Sequence, residues 1–294
     1  MSQRFSKIGL IGKYGDPSVA ETLLRLSDFL QQQGCQVWLE SETADDITDH
    51  QHETASLDDI GAQCDLAITV GGDGTLLHSA RTLVDHDIAM LGINLGRLGF
   101  LVDVSPDQMQ EHVTQVLAGD YEEEHRIMLH TTISNDQHAP RDSHAFNDVV
   151  VHKWEMARMI ETDTYINGRL LNTMRSDGLI VSTPTGSTAY ALSSGGPIIE
   201  PDMDAIVIVP ICPHSMSYRP IVVDGNSEIQ IQVRESHPEA HAQVTCDGQI
   251  NIGLEAGDRI RIKRKQERVR LIHPPGHDYY QVLRAKLHWG EHFS

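Results

Sequence analysis

The sequence predicts an α/β domain followed by an all-β domain, and three observations carry this prediction. Apolar strands alternate with amphipathic helices over the first third of the 294 residues. From Arg126 the helical period disappears for a long stretch of short strand-like runs, and it returns after Pro275. Strands that alternate with helices imply right-handed crossovers and a parallel sheet. The length allows two domains of about 100–200 residues each.

The first domain, residues 1–124, begins with a buried strand at Lys7–Lys13. Apolar residues then recur between Val19 and Leu30 at spacings of four, three and four, which marks one face of a helix, and Gly34 ends it. The later elements alternate in the same way. They are strands at Val37–Glu40, Asp65–Val70 and Ile88–Asn94 and helices at Leu76–Val84 and Pro106–Leu117.

The second domain, residues 125–274, is predicted to be β-rich and built from two packed sheets. Turn signals such as Asn167-Gly168 and Asp247-Gly248 divide its strands. The predicted strands are Phe146–His152, Met159–Ile166, Leu179–Ser182, Ile206–Val209, Ile221–Val223, Ile229–Val233, Gln243–Cys246, Ile260–Lys263 and Val269–Ile272. Ser187–Leu192 is a helical interruption, and Tyr280, Leu283 and Leu287 mark one face of a C-terminal helix.

Composition narrows the possible partners. The formal net charge of −19 repels phosphate backbones at long range, which argues against nucleic-acid and anionic-membrane binding. One small polyanionic ligand is still possible, held by backbone amides and a metal ion. The four cysteines lack metal-ligand spacing, and the longest apolar run, Ala205–Val209, is too short to span a bilayer. We therefore expect a reduced, cytoplasmic, globular protein.

The strongest local motif is Gly71-Gly72-Asp73-Gly74-Thr75, at the carboxyl end of a buried strand and the start of a helix. Ligands of open α/β sheets bind at that edge, and helix-start amides suit phosphate. A carboxylate beside phosphates is expected to bind Mg²⁺ or to take a proton. The alternative interpretation is a tight turn capped by Asp73.

Longer motifs indicate a family. Gly71–Thr75 resembles the phosphate-binding signature shared by NAD kinases, diacylglycerol and sphingosine kinases, and 6-phosphofructokinases. The remaining matches resemble NAD kinases of the proteobacterial type, and they are Leu91–Leu101, Phe146–Asp148, Asp177–Tyr190, Ser193–Pro197 and Cys246–Gln249. Asp148 stands where the family usually has Glu, and Gln249 where many relatives have His. Residues 1–60 match only loosely.

The resemblance implies a reaction and an architecture. The 2′-hydroxyl of the adenosine ribose of NAD would attack the γ-phosphate of ATP, giving NADP and ADP. Asp73 would be the base or would orient the hydroxyl, while the Gly71–Thr75 amides and Mg²⁺ brought with ATP disperse charge. It also implies a Rossmann-like, phosphofructokinase-like first domain onto which segment 275–294 packs back. The β-sandwich-like second domain would bind NAD and form a homodimer or homotetramer.

The residues carried over to the NAD pocket come from several segments. Asn147 can meet an adenine edge and Asp148 the ribose hydroxyls, although by themselves they read as a polar turn. Arg175 and Asp177, two apart in a predicted strand, share a face and either meet the nicotinamide end or form a surface ion pair. The other positions are Arg158, Thr188, Ala189, Tyr190, Ala191, Leu192, Ser193 and Gln249.

Two other functions fit parts of the sequence. A lipid kinase would share the Gly71–Thr75 signature but would need an apolar cleft, and the Thr185–Ser193 segment is polar. A nucleotide-binding regulatory protein could use the same fold, but it would not need Asp73 as a base. Comparing phosphorylation of NAD with that of a lipid in one assay would decide the first alternative, and NAD binding without NADP formation would support the second.

Overall fold

The chain, described here from a computed structural model, forms two compact units. The first comprises Met1–His125 and Val269–Ser294, and the second comprises Arg126–Arg268. The structure describes residues 5–16, 18–47, 52–96, 98–102, 104–137, 139–154, 159–234, 242–255 and 257–290. Within these ranges, no helix is both long and apolar enough to cross a membrane.

The first unit is a seven-stranded sheet with helices. Its strands are β1 (Lys7–Gly12), β2 (Gln36–Glu40), β3 (Glu53–Ala55), β4 (Leu66–Gly71), β5 (Ala89–Asn94), β6 (Glu122–Arg126) and β19 (Val269–His273). Its helices are α1 (Ser18–Gln32), α2 (Ser41–Asp45), α3 (Leu57–Gln63), α4 (Asp73–Leu83), α5 (Met109–Ala118) and α7 (Tyr279–Leu287). The strand order is β3-β2-β1-β4-β5-β19-β6.

Parallel pairing confirms the predicted α/β architecture. β1 pairs parallel with β2 and β4, and β4 with β5. Every residue of β4 and β5 is buried, as expected for central strands covered on both faces. The predicted face of α1 lies in the core, where Leu23, Leu26 and Leu30 are fully buried. Gly34 has a φ of +85° just beyond the helix, a conformation in which a side chain is strained.

The second unit consists of two six-stranded sheets. Its strands are β7 (Leu129–Ser134), β8 (Arg141–Ala145), β9 (Asp148–Lys153), β10 (Ile160–Ile166), β11 (Arg169–Ser176), β12 (Gly178–Ser182), β13 (Ala205–Ile211), β14 (Ile221–Asp224), β15 (Ile229–Val233), β16 (Ala242–Cys246), β17 (Ile250–Gly253) and β18 (Arg259–Arg264). One sheet has the order β11-β10-β15-β18-β7-β8, and the other β14-β13-β12-β9-β16-β17. A 3-10 helix at Thr185–Thr188 precedes α6 (Tyr190–Ser193).

The two sheets share one apolar core, which confirms the predicted β-sandwich. Inward residues of both sheets meet there, for example Val149 and Val181 from one sheet and Ile231 and Ile260 from the other. The sheet that contains β9 is also covered on its outer face. A second cluster there packs Ala191 of α6 against Val150, Ile180 and Val207. The segment that follows β12 is therefore anchored on the outside of this sheet.

The last predicted strand lies in a different sheet from the one expected. Val269–Ile272 was expected in the β-rich domain, but β19 pairs parallel with β5 in the first unit, with Arg270 opposite Ala89. A short strand pattern such as Val269–Ile272 indicates a strand but not its partner, and every residue of the partner β5 is buried. The chain thus returns to the first unit before α7, as the C-terminal helix prediction required, and Lys286 of α7 lies 5.4 Å from the ring centroid of Phe100.

Candidate active site

The glycine-rich loop connects β4 directly to α4. Gly71 ends the strand, and Gly72 is the extended residue before the helix, whose first residue is Asp73. A Cβ on Gly71 would lie 2.4 Å from the Thr75 Oγ1, so only glycine allows the helix to start this close to the strand. The Thr75 amide donates to the Gly72 carbonyl at 3.0 Å. The α4 amino terminus and its positive dipole end therefore lie at the carboxyl edge of the parallel sheet, where anions bind.

Asp73 is held by the loop that follows β5. The Phe100 amide donates to its Oδ2 at 2.9 Å, and the Leu101 amide donates to its Oδ1 at 3.1 Å. Gly99 packs against the same carboxylate, because a Cβ there would lie 2.1 Å from the Asp73 Oδ1. Hydrogen bonds from amides to a carboxylate are strong and directional. The half-buried carboxylate is thus fixed in one orientation by a second segment of the first unit.

The second unit contains a cavity of about 470 Å³, within the usual range of ~300–1,000 Å³ for small-molecule sites. It lies beside the outer face of the sheet that contains β9, next to the segment that follows β12. Its lining combines three carboxylates and one lysine with apolar groups, one histidine and one tyrosine ring. The lining residues are Asn147, Asp148, Val150, His152, Lys153, Asp177, Ala189, Tyr190, Ile211, Thr245, Asp247 and Gly248.

Asp247 shapes one wall of this pocket by binding three consecutive amides. Its Oδ2 accepts from the Phe146 amide at 3.0 Å, and its Oδ1 accepts from the amides of Asn147 at 2.7 Å and Asp148 at 3.3 Å. The Asp247 amide in turn donates to the Asp148 carbonyl at 2.9 Å. Asp247 adopts a φ of +52°, which places the turn after β16 directly against the start of β9.

Asp148 is only 4% exposed. Burial, and secondarily the charge of Asp247, raises the pKa of Asp148 from 3.8 to about 7. The Asp177 carboxylate in the same pocket is neutralised differently, since its Oδ1 accepts from the Lys153 Nζ at 2.6 Å. The pocket therefore offers one carboxyl that titrates near neutrality and one that is ion-paired.

Gly186 explains why the long motif fits against Asn147. A Cβ at Gly186 would lie 2.2 Å from the Asn147 carbonyl oxygen, so the backbones touch. Thr183 reinforces the contact, because its hydroxyl donates to the Phe146 carbonyl at 2.7 Å and its amide donates to the Asn147 carbonyl at 2.9 Å. The motif thus holds the start of β9 from behind while its next residues, Ala189 and Tyr190, line the pocket.

The expectation that Arg175 and Asp177 share one strand face is wrong. β11 ends at Ser176, and β12, which begins at Gly178, belongs to the other sheet. Asp177 lies at the bend between them, where its amide donates to the Ile211 carbonyl at 3.0 Å. Its ion-pair partner is Lys153. Arg175 is exposed on β11.

The remaining predicted pocket residues occupy varied positions. Ala191 is fully buried in the cluster on the outer sheet face. Tyr190 is 46% exposed, so its ring is accessible to a flat ligand. Thr188 and Leu192 are half-buried, Ser193 and Gln249 are exposed, and Arg158 lies outside the described residues.

Sequence reasoning missed several pocket residues. Lys153, His152 and Thr245 had no motif around them and enter the pocket through the register of β9 against β16, in which Val150 is opposite Thr245. His152 Nε2 lies 2.9 Å from the Thr245 Oγ1. Asp247 carried a signal, the Asp-Gly turn, but the turn alone did not reveal that its side chain binds the start of β9.

The chain is similar to known proteins along nearly its full length. The family models described as the ATP-NAD kinase N-terminal domain and the ATP-NAD kinase C-terminal domain match residues 8–121 and 146–274. An NAD kinase of Nitrosococcus oceani is 50% identical over 290 residues, which cover 99% of each chain. An NAD kinase of Pseudomonas putida is 48% identical over 98% of this chain and 97% of its own.

Solved structures agree with the fold. Yeast NADH kinase complexed with NADH superimposes with a TM-score of 0.87 at 26% identity, over 99% of this chain and 90% of that one. An NAD kinase from Archaeoglobus fulgidus in complex with ATP gives a TM-score of 0.73 at 24% identity, over 96% and 98% of the two chains, and supports the fold alone. With both halves matched by family models and relatives near 50% identity over the full length, the chain belongs to the NAD kinase family.

Proposed function

We propose that this NAD kinase binds NAD in the pocket of its second unit and the triphosphate of ATP at the Gly71–Thr75 loop of its first unit. The reaction transfers the γ-phosphate of ATP to the 2′-hydroxyl of the adenosine ribose of NAD, giving NADP and ADP. The observation that carries the proposal is the pocket in which Asn147, Asp148 and Asp177 meet. Two structural neighbours are complexes with NADH and with ATP, the yeast NADH kinase and the Archaeoglobus fulgidus NAD kinase respectively.

In this proposal Asp73 accepts the proton of the attacking hydroxyl. A ribose hydroxyl is a poor nucleophile, and a positioned base typically accelerates such a step ~10²–10⁴-fold. Both Asp73 oxygens already accept one backbone amide each, so the carboxylate is held in one orientation before substrate binds. Its role is therefore to hold the ribose hydroxyl in line with the γ-phosphorus of ATP and to accept the proton as the new oxygen–phosphorus bond forms. Mg²⁺ enters with ATP as part of the substrate.

The pocket residues divide the work of holding NAD. The side-chain amide of Asn147 offers a donor and an acceptor to an adenine edge, and the Asp148 side chain accepts hydrogen bonds from ribose hydroxyls. The accessible ring of Tyr190 packs against a flat ring of NAD. Asp177, held by Lys153, contributes an oriented acceptor. The proposal also includes Arg158, Arg175, Thr188, Ala189, Ala191, Leu192, Ser193 and Gln249, on family resemblance.

The first test concerns Asp73. Asp73→Asn keeps the size of the side chain and one of its two acceptor oxygens but removes the base and places an NH2 group against one of the two backbone amides, so we expect turnover to fall ~10²–10⁴-fold with little change in NAD binding. The measurement is NADP formation from NAD and MgATP in a coupled assay, with circular dichroism as the folding control. Turnover above half of the unmodified value would contradict the role of Asp73.

The second test separates the two substrates. Asn147→Ala and Asp177→Ala are expected to raise the KM for NAD by roughly two- to a hundredfold, the equivalent of ~0.5–3 kcal/mol for a lost hydrogen bond, and to leave the KM for ATP nearly unchanged. Asp202→Ala, which removes an exposed carboxylate outside the pocket lining, is the control. Equal increases for both substrates would mean that the pocket is wrongly assigned.

We further propose a cytoplasmic homodimer or homotetramer assembled through the β-rich unit. Two edge strands of that unit carry exposed apolar side chains, Leu170 on β11 and Val222 on β14, at 55% and 45% exposure. Such edges favour association with a second copy. Light scattering at assay concentration tests the assembly, and a monomer mass would refute it.

A further inference from the structure

The sheet of the first unit reverses its direction of growth between β1 and β4. These two strands are paired, but the chain continues from β1 to β2 on one side of the sheet and from β4 to β5 on the other. Ligands of open parallel sheets bind in the crevice at the carboxyl ends of the strands at such a reversal. The glycine-rich loop follows β4 there, and the segment that follows β1 begins with Lys13. The crevice therefore has a second side, which begins with a cation.

The side chain of Lys13 starts directly beside the glycine-rich loop. The Lys13 amide continues the pairing of the two strands, because it donates to the Val70 carbonyl at 3.0 Å. Leu10 of β1 and Val70 of β4 point into the core that contains α1, and since side chains alternate between faces, Lys13 and Gly71 point to the opposite face. There a Cβ on Gly71 would lie 3.1 Å from the Lys13 Cβ and 2.4 Å from the Thr75 Oγ1 of α4. Lys13 and the start of α4 therefore lie next to each other on one face.

The glycine-rich loop lacks a positive charge of its own. Its one charged side chain is Asp73, and a bound triphosphate adds further negative charge. The dipole of α4 and the Mg²⁺ that enters with ATP supply part of the balance. A lysine adds a compact ammonium group on a flexible stem, and lysines bind phosphates as point charges. We propose that the Lys13 Nζ binds the triphosphate of ATP, an inference that rests on the proposed function of the loop.

The contacts of Lys13 allow its ammonium group to change partners while its backbone stays in place. The Lys13 Nζ donates to the Asp16 Oδ2 at 2.9 Å, and the lysine side chain is 57% exposed. Ion pairs at this exposure contribute little to stability, so a triphosphate with several negative charges can replace the carboxylate. The backbone is fixed, because the Gly15 amide donates to the Asp46 Oδ2 at 2.8 Å. Binding therefore requires a change in the lysine side chain and not in the backbone of the loop.

Lys13 and Asp73 have different tasks in the proposed reaction. As the ribose oxygen bonds to the γ-phosphorus, the bond from that phosphorus to the oxygen of ADP breaks, and ADP keeps the electron pair. Negative charge therefore grows on the leaving phosphate oxygens. Asp73 accepts the hydroxyl proton, whereas the Lys13 ammonium keeps its proton and balances this charge. We thus expect Lys13 to affect the binding and turnover of ATP but not the binding of NAD.

The test compares the unmodified full-length protein with Lys13→Met. This substitution keeps an unbranched side chain at an exposed position but removes the charge, and circular dichroism checks the fold. Calorimetric titration without NAD measures the affinity for MgATP and for inorganic triphosphate with Mg²⁺. We expect both affinities to fall roughly ten- to a hundredfold, the loss typical of a hydrogen bond to a charged group. The KM for NAD in the coupled assay should stay nearly unchanged.

Lys7→Met is the matched control. Lys7 is exposed at the amino end of β1, roughly 20 Å away, and its substitution changes the net charge equally, so both affinities should stay unchanged. Equal affinities of Lys13→Met and the unmodified protein would overturn the inference. So would equal losses in both variants, a loss confined to MgATP, or an unmodified protein that does not bind inorganic triphosphate. Lys13→Gln, a second neutral variant, decides in the same way if Lys13→Met does not fold.

NADP formation tests the proposed function separately. An unmodified protein that binds both triphosphates through Lys13 but forms no NADP would contradict that function and leave the phosphate contact standing. NADP formation together with unchanged triphosphate affinities in the Lys13 variants would overturn the contact and leave the function standing.

Discussion

The carboxyl of Asp148 makes the stability of this protein depend on pH in a direction opposite to that of most carboxylates. Burial and the charge of Asp247 raise the pKa of Asp148 from 3.8 to about 7. The folded chain therefore binds this proton more tightly than the unfolded chain does. The free energy of unfolding then falls as the pH rises from about 4 to about 7, and the loss persists at higher pH.

Asp148→Asn removes the ionisation but keeps the shape of the side chain. Each pKa unit corresponds to about 1.4 kcal/mol, so the full loss in the unmodified chain is ~4 kcal/mol at most. We expect the variant to be more stable than the unmodified protein at about pH 8. The advantage should grow by roughly 3 kcal/mol between about pH 5 and about pH 8, because over most of this interval Asp148 is ionised in the unfolded chain but still protonated in the folded one.

Urea unfolding of both proteins at a series of pH values measures the effect. The difference between their free energies of unfolding removes the contribution of the groups that titrate in both proteins. Asp177→Asn is the control, since Lys153 balances the charge of Asp177 and its removal should bring no gain at high pH. A difference between Asp148→Asn and the unmodified protein that does not change with pH would refute the reasoning. A variant whose stability relative to the unmodified protein falls as the pH rises would refute it as well.

Three further predictions follow from close contacts and burial. Gly99→Ala puts a Cβ 2.1 Å from the Asp73 Oδ1 and must move that carboxylate by about 1 Å, so kcat should fall on the order of 10²-fold. The control Gly96→Ala, whose Cβ would have its nearest contact at 3.9 Å, should stay active. Gly186→Ala should raise the KM for NAD at least about tenfold and cost ~1–3 kcal/mol in urea unfolding, because its Cβ would meet the Asn147 carbonyl; an unchanged KM would contradict the contact. Burial, followed by the charge of Asp65, raises the pKa of the Cys64 thiol to about 11, so its thiolate fraction at pH ~8 is ~10⁻³; mass spectrometry should find exposed Cys212 alkylated long before Cys64, and equal rates would contradict this.

Local patterns were sufficient for most of the fold. Strands and helices were predicted from apolar patterns with periods of two and 3.6 residues, such as the helix face between Val19 and Leu30. These patterns do not depend on distant contacts. The pairing partner of β19 could not be predicted in this way, because that partner, β5, lies about 180 residues earlier in the chain. A similar limit applies to the last helix, where the structure buries Val282 and Leu283 but leaves Tyr280 52% exposed.

Site residues were predicted correctly where one short motif includes all the elements that position them. Gly71–Thr75 carries strand end, turn and helix start within five residues, and the structure forms all three. Asp177 was assigned to a strand because the sequence does not mark the point at which a chain leaves one sheet for another. The contacts of Asp247 and Lys153 depend on strand register across distant segments, which no local spacing encodes.

The position of β19 between β5 and β6 has a consequence for synthesis on the ribosome. When residue 125 emerges, the sheet of the first unit lacks an interior strand, and β6 has no neighbour to join until β19 appears after the stretch 126–268. At ~5–20 residues per second that delay is roughly 7–30 s. During this interval the part of β5 that pairs with β19, Ala89 and Met90, lacks that partner, so the sheet of the first unit can be completed only after the second unit has been synthesised.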